Sequence, residues 1–310
     1  MSDRTTCWVL AGPTASGKTD LSLRLAEKYG CEIVCMDSMQ IYRGMDIGTA
    51  KPTAEEQARA PHHMLDVADP REAFSVARYQ ELAEACVRQI HARGHRALFV
   101  GGTGFYLRAL RHPMAMGEVR GDEALRRELE ALAETEGGRE RLHRMLAAVD
   151  PETAARLHEN DVRRAVRALE VYRLTGIPFS RQPQKEEKSP FDYRVVCLTM
   201  DRERLYRRIE RRVDRMLEDG LLREVRGLLD SGVPADCQAM KAIGYKELVP
   251  VLRGEASLEQ AAAEIKLGTR HYAKRQLTWM RKEEDVRWID SLAADAFGQA
   301  EQWLIQGEEA

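Results

Sequence analysis

Gly12-Pro13-Thr14-Ala15-Ser16-Gly17-Lys18-Thr19 fits the pattern G-x-x-x-x-G-K-[ST]. A loop of this kind turns backbone N–H groups inward, where they cradle phosphate oxygens. A helix that begins at the end of the loop adds its positive N-terminal dipole. Lys18 would supply a point charge, and the Thr19 hydroxyl could ligate Mg²⁺. The pattern requires a strand before it and a helix after it. The wholly apolar run Cys7–Ala11 meets the first need. The stretch Lys18–Tyr29, with Leu21, Leu25 and Ala26 on one face, meets the second.

The loop indicates phosphate without indicating a nucleotide. NTP-hydrolysing enzymes hold their Mg²⁺ with an acid that follows a hydrophobic strand. Here the apolar run Arg96–Val100 leads into Gly101-Gly102-Thr103-Gly104, with no carboxylate. The acid follows a different run, Glu32–Met36, and is Asp37. That placement speaks against the standard ATPase and GTPase readings. A carboxylate at a strand end beside a phosphate loop can accept a proton from a nucleophile. With Ser38 next to it, Asp37 could equally cap a helix. The glycines at 101, 102 and 104 would let backbone approach a ligand, or would make a tight strand-to-helix turn.

The elements that must position these groups alternate as strand and helix. A helix over Ser75–Arg93 separates the second and third runs, and a long irregular stretch, Ser38–Pro70, precedes it. The alternation predicts an α/β fold with a parallel sheet flanked by helices. Ligands of such sheets sit beyond the carboxyl ends of the strands, where Gly12–Thr19, Asp37–Tyr42 and Gly101–Thr103 all fall. Between residues 112 and 190 strand-like runs vanish, and amphipathic helices are predicted at Asp122–Glu136, Arg139–Val149 and Val162–Leu174. The stretch Gln182–Pro190 reads as a solvated linker. This predicts an all-helical insertion, 112–190, in a core formed by 1–111 and 191–310. After a strand at Arg194–Met200 come helices at Arg202–Glu218, Leu221–Ser231, around Tyr245–Leu252 and at Leu258–Lys282. A strand at Val286–Asp290 and a last helix follow.

Composition narrows the classes. The 310 residues are 44% hydrophobic and 32% charged, a globular profile rather than a disordered or membrane one. A net charge of −2 excludes a globally basic nucleic-acid binder and leaves local basic patches open. No two of the six cysteines share a C-x-x-C spacing, so they read as reduced thiols of a cytoplasmic protein. No stretch approaches the ~18 apolar residues of a membrane span. His62 and His63 are adjacent and would point to opposite faces of an extended segment, which makes them a poor metal pair. No exposed heptad seam stands out, so a monomer is expected.

Taken together, the motifs resemble the tRNA dimethylallyltransferases, also called tRNA isopentenyltransferases, in their bacterial form. The blocks that carry the resemblance are GPTASGKT at 12–19, DSMQIY at 37–42, GTAKP at 48–52, PHHMLDV at 61–67, FSVARY at 74–79 and GGTGFYL at 101–107. NDVRRAVRALEVY at 160–172, KAIGYKEL at 241–248 and TRHYAKRQLTWMR at 269–281 extend it over nearly the whole chain. The zinc finger that eukaryotic members carry is lacking.

The resemblance implies transfer of a dimethylallyl group from dimethylallyl diphosphate to N6 of adenosine 37 in tRNA, with Mg²⁺ as cofactor and the base flipped into a channel. It implies that the phosphate loop, Gly12 to Thr19, holds the diphosphate, that Thr19 binds the metal, and that Arg208 or Arg212 assists. The sequence does not choose between these two arginines. It implies catalytic roles for Asp37, Lys18 and Thr103. It places tRNA contacts at Asp37, Ser38, Met39 and Gln40, and at Arg163, Arg164, Ala165, Val166 and Arg167 in the insertion. Further contacts are expected at Lys241, Ala242, Ile243, Gly244, Tyr245 and Lys246, and at Lys274, Arg275, Gln276, Leu277, Thr278, Trp279, Met280 and Arg281. Competing readings are a small-molecule P-loop kinase, an adenylate isopentenyltransferase acting on a free nucleotide, and an RNA-binding nucleotide switch.

Overall fold

A computed structural model describes residues 4–112, 121–182 and 189–306. The chain divides into two compact units, one of residues 1–112 and 188–310 and the other of residues 113–187. The first unit opens with β1 (Thr6–Ala11), α1 (Lys18–Tyr29), β2 (Cys31–Cys35), α2 (Ala54–Arg59), β3 (His62–His63), α3 (Val76–Ala92), β4 (Arg96–Gly101) and α4 (Gly104–Arg111). The second unit holds α5 (Glu123–Ala133), α6 (Gly138–Val149), α7 (Pro151–Arg156) and α8 (Val162–Thr175). The chain then returns to the first unit with β5 (Asp192–Thr199), α9 (Arg202–Glu218), α10 (Leu221–Asp230), α11 (Leu248–Leu252), α12 (Leu258–Met280), β6 (Val286–Asp290) and α13 (Ala296–Ile305).

The six strands form one sheet in the order β3-β2-β4-β1-β5-β6. Every pairing is parallel. The α/β class expected from the alternation is the class observed. Central β1 shows why its sequence is continuously apolar. Cys7, Val9 and Ala11 enter the core on one face of the sheet, and Trp8 and Leu10 enter the core on the other. A strand covered on both faces has no polar side to display. Strand β5 alternates in the same way, with Val195 and Cys197 on one side and Val196 and Leu198 on the other. Each such Val or Leu contributes about 1.5–3 kcal/mol by leaving water.

The stretch 38–70 is less irregular than expected. It contains α2, whose N-terminus is closed by a capping box between Thr53 and Glu56, and the two-residue strand β3. In the second unit, α7 was not anticipated, although Asp150 at its N-cap and Pro151 at its first position announce it.

The second unit closes its own core around Leu129, Leu142, Leu146 and Leu169. Ala165 and Val166 belong to that core, which corrects the expectation that their side chains face RNA. The helical period turns Arg163 and Arg164 outward instead. Arg164 pairs with Asp161 at 2.9 Å, and Arg167 with the buried carboxylate of Glu170 at 2.5 Å. Among the described residues no helix is long and apolar enough to cross a membrane. All six cysteines are free thiols.

Candidate active site at the carboxyl ends of the central strands

The loop after β1 is shaped by positive backbone angles: φ is 149° at Gly12, 63° at Ala15 and 93° at Gly17. Such a run turns successive N–H groups to one side and makes an anion-binding concavity. A side chain at Gly12 would place its Cβ 2.9 Å from the Leu198 carbonyl, so β5 holds the loop from outside. The Ser16 hydroxyl is buried and has no hydrogen-bond partner among the described residues. Lys18 folds over the loop, its Nζ donating to the carbonyls of Gly12 at 2.9 Å and Pro13 at 2.7 Å. Burial pushes the Lys18 ammonium down to about 8; the nearby Arg212 charge adds to this and Asp37 opposes it.

Helix α9 brings two arginines to this loop. The Arg208 guanidinium lies 3.8 Å from the position a Cβ would take on Gly17. Arg212 is more enclosed: burial lowers its pKa, while attraction to Asp37 raises it and the charge of Arg208 lowers it. Both arginines therefore border the loop region, Arg208 by its position beside Gly17 and Arg212 by a charge that acts on both Lys18 and Asp37.

Asp37 leaves β2 in a turn rather than a helix. Its Oδ1 accepts the Met39 N–H at 2.9 Å, and no helix follows, so the helix-cap alternative falls away. Thr103 faces it from the end of β4, its hydroxyl accepting the Ser38 N–H at 3.1 Å. Tyr272 of α12 lies beside the same threonine, and burial with the charge of Asp37 pushes its phenol well up.

The glycines after β4 serve close packing of protein on protein. A Cβ on Gly101 would lie 2.0 Å from the Met36 carbonyl oxygen. One on Gly102 would lie 2.0 Å from Gln276 Nε2 and 2.9 Å from the Gly12 carbonyl. One on Gly104 would lie 2.9 Å from Trp279 Cβ. Three loop ends and α12 therefore meet with no space for a side chain between them.

The tRNA-facing expectations divide by exposure. Lys241, Lys246, Lys274, Arg275, Thr278 and Arg281 are exposed, and Ser38, Met39, Ile243, Leu277 and Trp279 are half-buried. His271, Lys274, Arg275, Thr278, Trp279 and Lys282 line a concavity of about 400 Å³ on α12. Phe105 sits edge-on to Trp279, with ring centres 6.0 Å apart. Other expected contacts are corrected. Ala242, Tyr245 and Met280 are core residues, and Gly244 is buried beside them. The Tyr245 hydroxyl donates to Glu224 at 2.5 Å. Gln276 is 4% exposed and accepts the Thr14 N–H at 2.9 Å, so it serves the phosphate loop. Gln40 donates to the Thr49 and Ala50 carbonyls, each at 3.1 Å, and accepts from the Cys35 thiol at 3.2 Å. Lys266 and Arg270 of α12 are paired with Asp214 and Glu210 of α9.

Sequence reasoning took Tyr272 for an RNA-facing aromatic and missed its place beside Asp37 and Thr103; it also missed Gln276 as a loop ligand, and Glu224. Their helical spacing carries no mark of partners that lie far away in the chain.

For a metal, the donor set fits an ion shared with a phosphorylated ligand. Thr19 is half-buried at the loop end, and among the described residues nothing engages its hydroxyl. No group of three His, Cys, Asp or Glu side chains gathers there or elsewhere among the described residues. Mg²⁺ commonly combines few protein ligands with phosphate oxygens and water.

The IPP transferase family model matches residues 40–283. The tRNA dimethylallyltransferase of Geobacter metallireducens is 51% identical over 290 residues, covering 93% of each chain. That of Desulforudis audaxviator is 52% identical over 283 residues, covering 91% of each. The crystal structure of the tRNA isopentenylpyrophosphate transferase of Bacillus halodurans is 43% identical, with a TM-score of 0.70 over 97% of this chain and 98% of that one. A eukaryotic dimethylallyltransferase acting on tRNA is 31% identical, with a TM-score of 0.81 over 97% of this chain and 78% of that one. With a phosphate loop, a facing carboxylate and this likeness along its length, the chain belongs to the IPP transferase family.

Proposed function

We propose that the chain transfers the dimethylallyl group of dimethylallyl diphosphate to N6 of adenosine 37 in tRNA and releases diphosphate. Membership of the family makes it a transferase of tRNA modification. The observation that carries the finer reading is the shared neighbourhood of Lys18, Arg212 and Asp37, in which a cation-lined phosphate loop meets a carboxylate.

An exocyclic adenine amine is a weak nucleophile, and its proton must leave as the new bond forms. In this reading N6 attacks the C1 carbon of the prenyl chain. The C–N bond forms as the C–O bond to diphosphate breaks. Asp37 takes the proton, within the turn that Met39 N–H and Thr103 hold. The bonding electrons go to the departing diphosphate, whose charge Lys18, Arg208, Arg212 and the loop amides stabilise where it develops. Thr19 is the residue that would hold Mg²⁺, which when bound would supply positive charge to the leaving group. The exposed cations of α12, Lys241, Lys246, Arg163 and Arg164 suit RNA phosphate, and Trp279 and Phe105 suit unstacked bases. A tRNA substrate supports a cytoplasmic location for the activity.

The test is incubation with radiolabelled dimethylallyl diphosphate, Mg²⁺ and unmodified tRNA, with AMP and ATP in parallel. Label at one adenosine of the tRNA is the expected result. Label in AMP alone would transfer the reading to a free-nucleotide prenyltransferase, and ATP consumption without prenyl transfer would transfer it to a kinase.

A further inference from the structure

Glu224 lies on α10, outside every sequence block that carries the chemistry, yet its carboxylate is the most heavily engaged acceptor near the site. Oε2 accepts the backbone N–H of Asp46 at 3.0 Å and of Ile47 at 2.7 Å. Oε1 accepts the N–H of Gly48 at 3.1 Å and the Tyr245 hydroxyl at 2.5 Å. Three consecutive amides on one carboxylate form an anion nest whose anion is supplied by the protein itself. The Tyr245 ring packs against Gly48 of the nest. A Cβ on Gly48 would lie 2.4 Å from that ring, so glycine is required there.

The nested segment is a tight turn. Ala50 N–H bonds the Ile47 carbonyl at 3.0 Å, and Lys51 N–H bonds the Asp46 carbonyl at 2.9 Å. Lys51 Nζ, with its side chain only 4% exposed, clamps the turn to the Tyr42 carbonyl and to the carboxylates of Asp46 and Asp66. Ala50 is held at φ 47°. The far side of the turn presents the Thr49 and Ala50 carbonyls to the Gln40 amide. Gln40 is three residues from Asp37 in the turn that carries the carboxylate. Hydrogen bonds thus tie Glu224 to residues 46–48 and residues 49–50 to the Gln40 side chain, and three residues of backbone join Gln40 to Asp37.

We propose that Glu224 is a positioning residue for the reaction. It fixes the turn at 46–50, the turn fixes Gln40, and Gln40 sets where the Asp37 carboxylate meets the acceptor amine. The inference rests on the proposed transfer to an adenine amine. Glu224 touches neither the phosphate loop nor its lysine among its hydrogen bonds, so donor binding should not depend on it.

Glu224→Gln leaves one acceptor oxygen and turns an NH₂ donor toward backbone donors. Tyr245→Phe removes one bond and keeps the ring. The test measures kcat and KM for tRNA, binding of a non-hydrolysable dimethylallyl diphosphate analogue, and melting temperature. Glu224→Gln should lower kcat about 10- to 100-fold, the scale of a small misplacement at a reacting centre. Tyr245→Phe should lower it less, and analogue binding should stay within about twofold of wild type for both variants. Combined with Gln40→Ala, Glu224→Gln should be strongly sub-additive, because both act along one chain. Wild-type kcat in both variants would overturn the proposal. So would analogue binding and melting temperature falling in step with kcat, or full additivity with Gln40→Ala. Absence of prenyl transfer by the wild-type enzyme would be a failure of the proposed function itself, visible before any variant is made.

Discussion

Gln276 accepts the backbone N–H of Thr14 across 262 residues of sequence, at 2.9 Å. One loop amide is thereby turned toward α12 instead of the phosphate cradle. The same side chain presses on Gly102, where no Cβ would fit. Helix α12 therefore supports the phosphate loop from beneath, while its exposed face carries Lys274, Arg275 and Thr278. One helix couples the donor site to the surface proposed for the acceptor RNA.

Gln276→Ala should loosen the loop without removing any of its phosphate-facing groups. One intramolecular hydrogen bond contributes about 1 kcal/mol. Donor KM should rise on the order of fivefold, with kcat changed less. Steady-state kinetics with dimethylallyl diphosphate as the varied substrate checks this, and an unchanged KM would remove Gln276 from the support of the loop.

Asp37→Ala removes the proposed proton acceptor. Turnover should fall about 10²–10⁴-fold, the range of a lost general base. Donor affinity should hold or rise slightly, because a negative charge near Lys18 and Arg212 has gone. Single-turnover transfer with enzyme in excess over tRNA isolates the chemical step, and near-normal rates there would exclude the role.

Much of this site was legible in the sequence because its parts are local. The pattern Gly12–Thr19 announces a strand, a loop and a helix in one reading, and α1 and α9 begin and end where their apolar stripes do. Asp37 and Thr103 could be placed because strand ends in a parallel sheet converge on one side. What stayed hidden is long-range. Tyr245 in KAIGYKEL looks like an exposed aromatic among lysines, yet it is fully buried beneath Gly48. Met280 and Gln276 share a basic stretch with Lys274 and Arg275, and only the rotation of α12 sorts them into core and surface. The glycines of Gly101–Gly104 were open to two readings, and the backbone of Met36 and the side chains of α12 add a third constraint, close packing, that neither reading contained.

Gly101→Ala tests that packing directly. Its Cβ would meet the Met36 carbonyl at 2.0 Å, and backbone atoms cannot swing aside as a side chain can. Overpacking of this kind costs about 1–3 kcal/mol. Thermal unfolding should show a melting temperature several degrees lower. Activity should fall by more than stability alone explains, because Met36 immediately precedes Asp37.

Lys18 should make donor binding depend on pH. Burial has lowered its folded-state pKa to about 8, below the ordinary 10.5, so the free enzyme loses this charge as pH rises through about 8. Diphosphate favours the protonated amine and raises its pKa on binding. Affinity is therefore full below pH 8 and declines above it, by up to about tenfold per pH unit until the pKa of the complex is reached. Titration calorimetry with a donor analogue from pH 6.5 to about 9.5 would trace this decline. Lys18→Arg should flatten the profile, since guanidinium stays charged throughout. A wild-type profile that is already flat would mean that the lysine does not contact the diphosphate.

The exposed cations predict a salt response that can be assigned to residues. Each RNA phosphate contact contributes about 0.7–0.9 to the slope of log K against log salt. Lys274→Ala with Arg275→Ala should reduce the slope by about one to two and weaken tRNA binding uniformly across tRNAs. Arg163→Ala with Arg164→Ala tests the second unit in the same way. Lys266 supplies the internal control: it lies on the same helix, but it is half-buried and its ammonium is held 2.5 Å from Asp214 of α9, away from the exposed face. Lys266→Ala should leave the slope where it was. If all three variants shift the slope equally, general surface charge attracts the RNA, and the division of α12 into an RNA face and a face packed on α9 carries no weight in recognition.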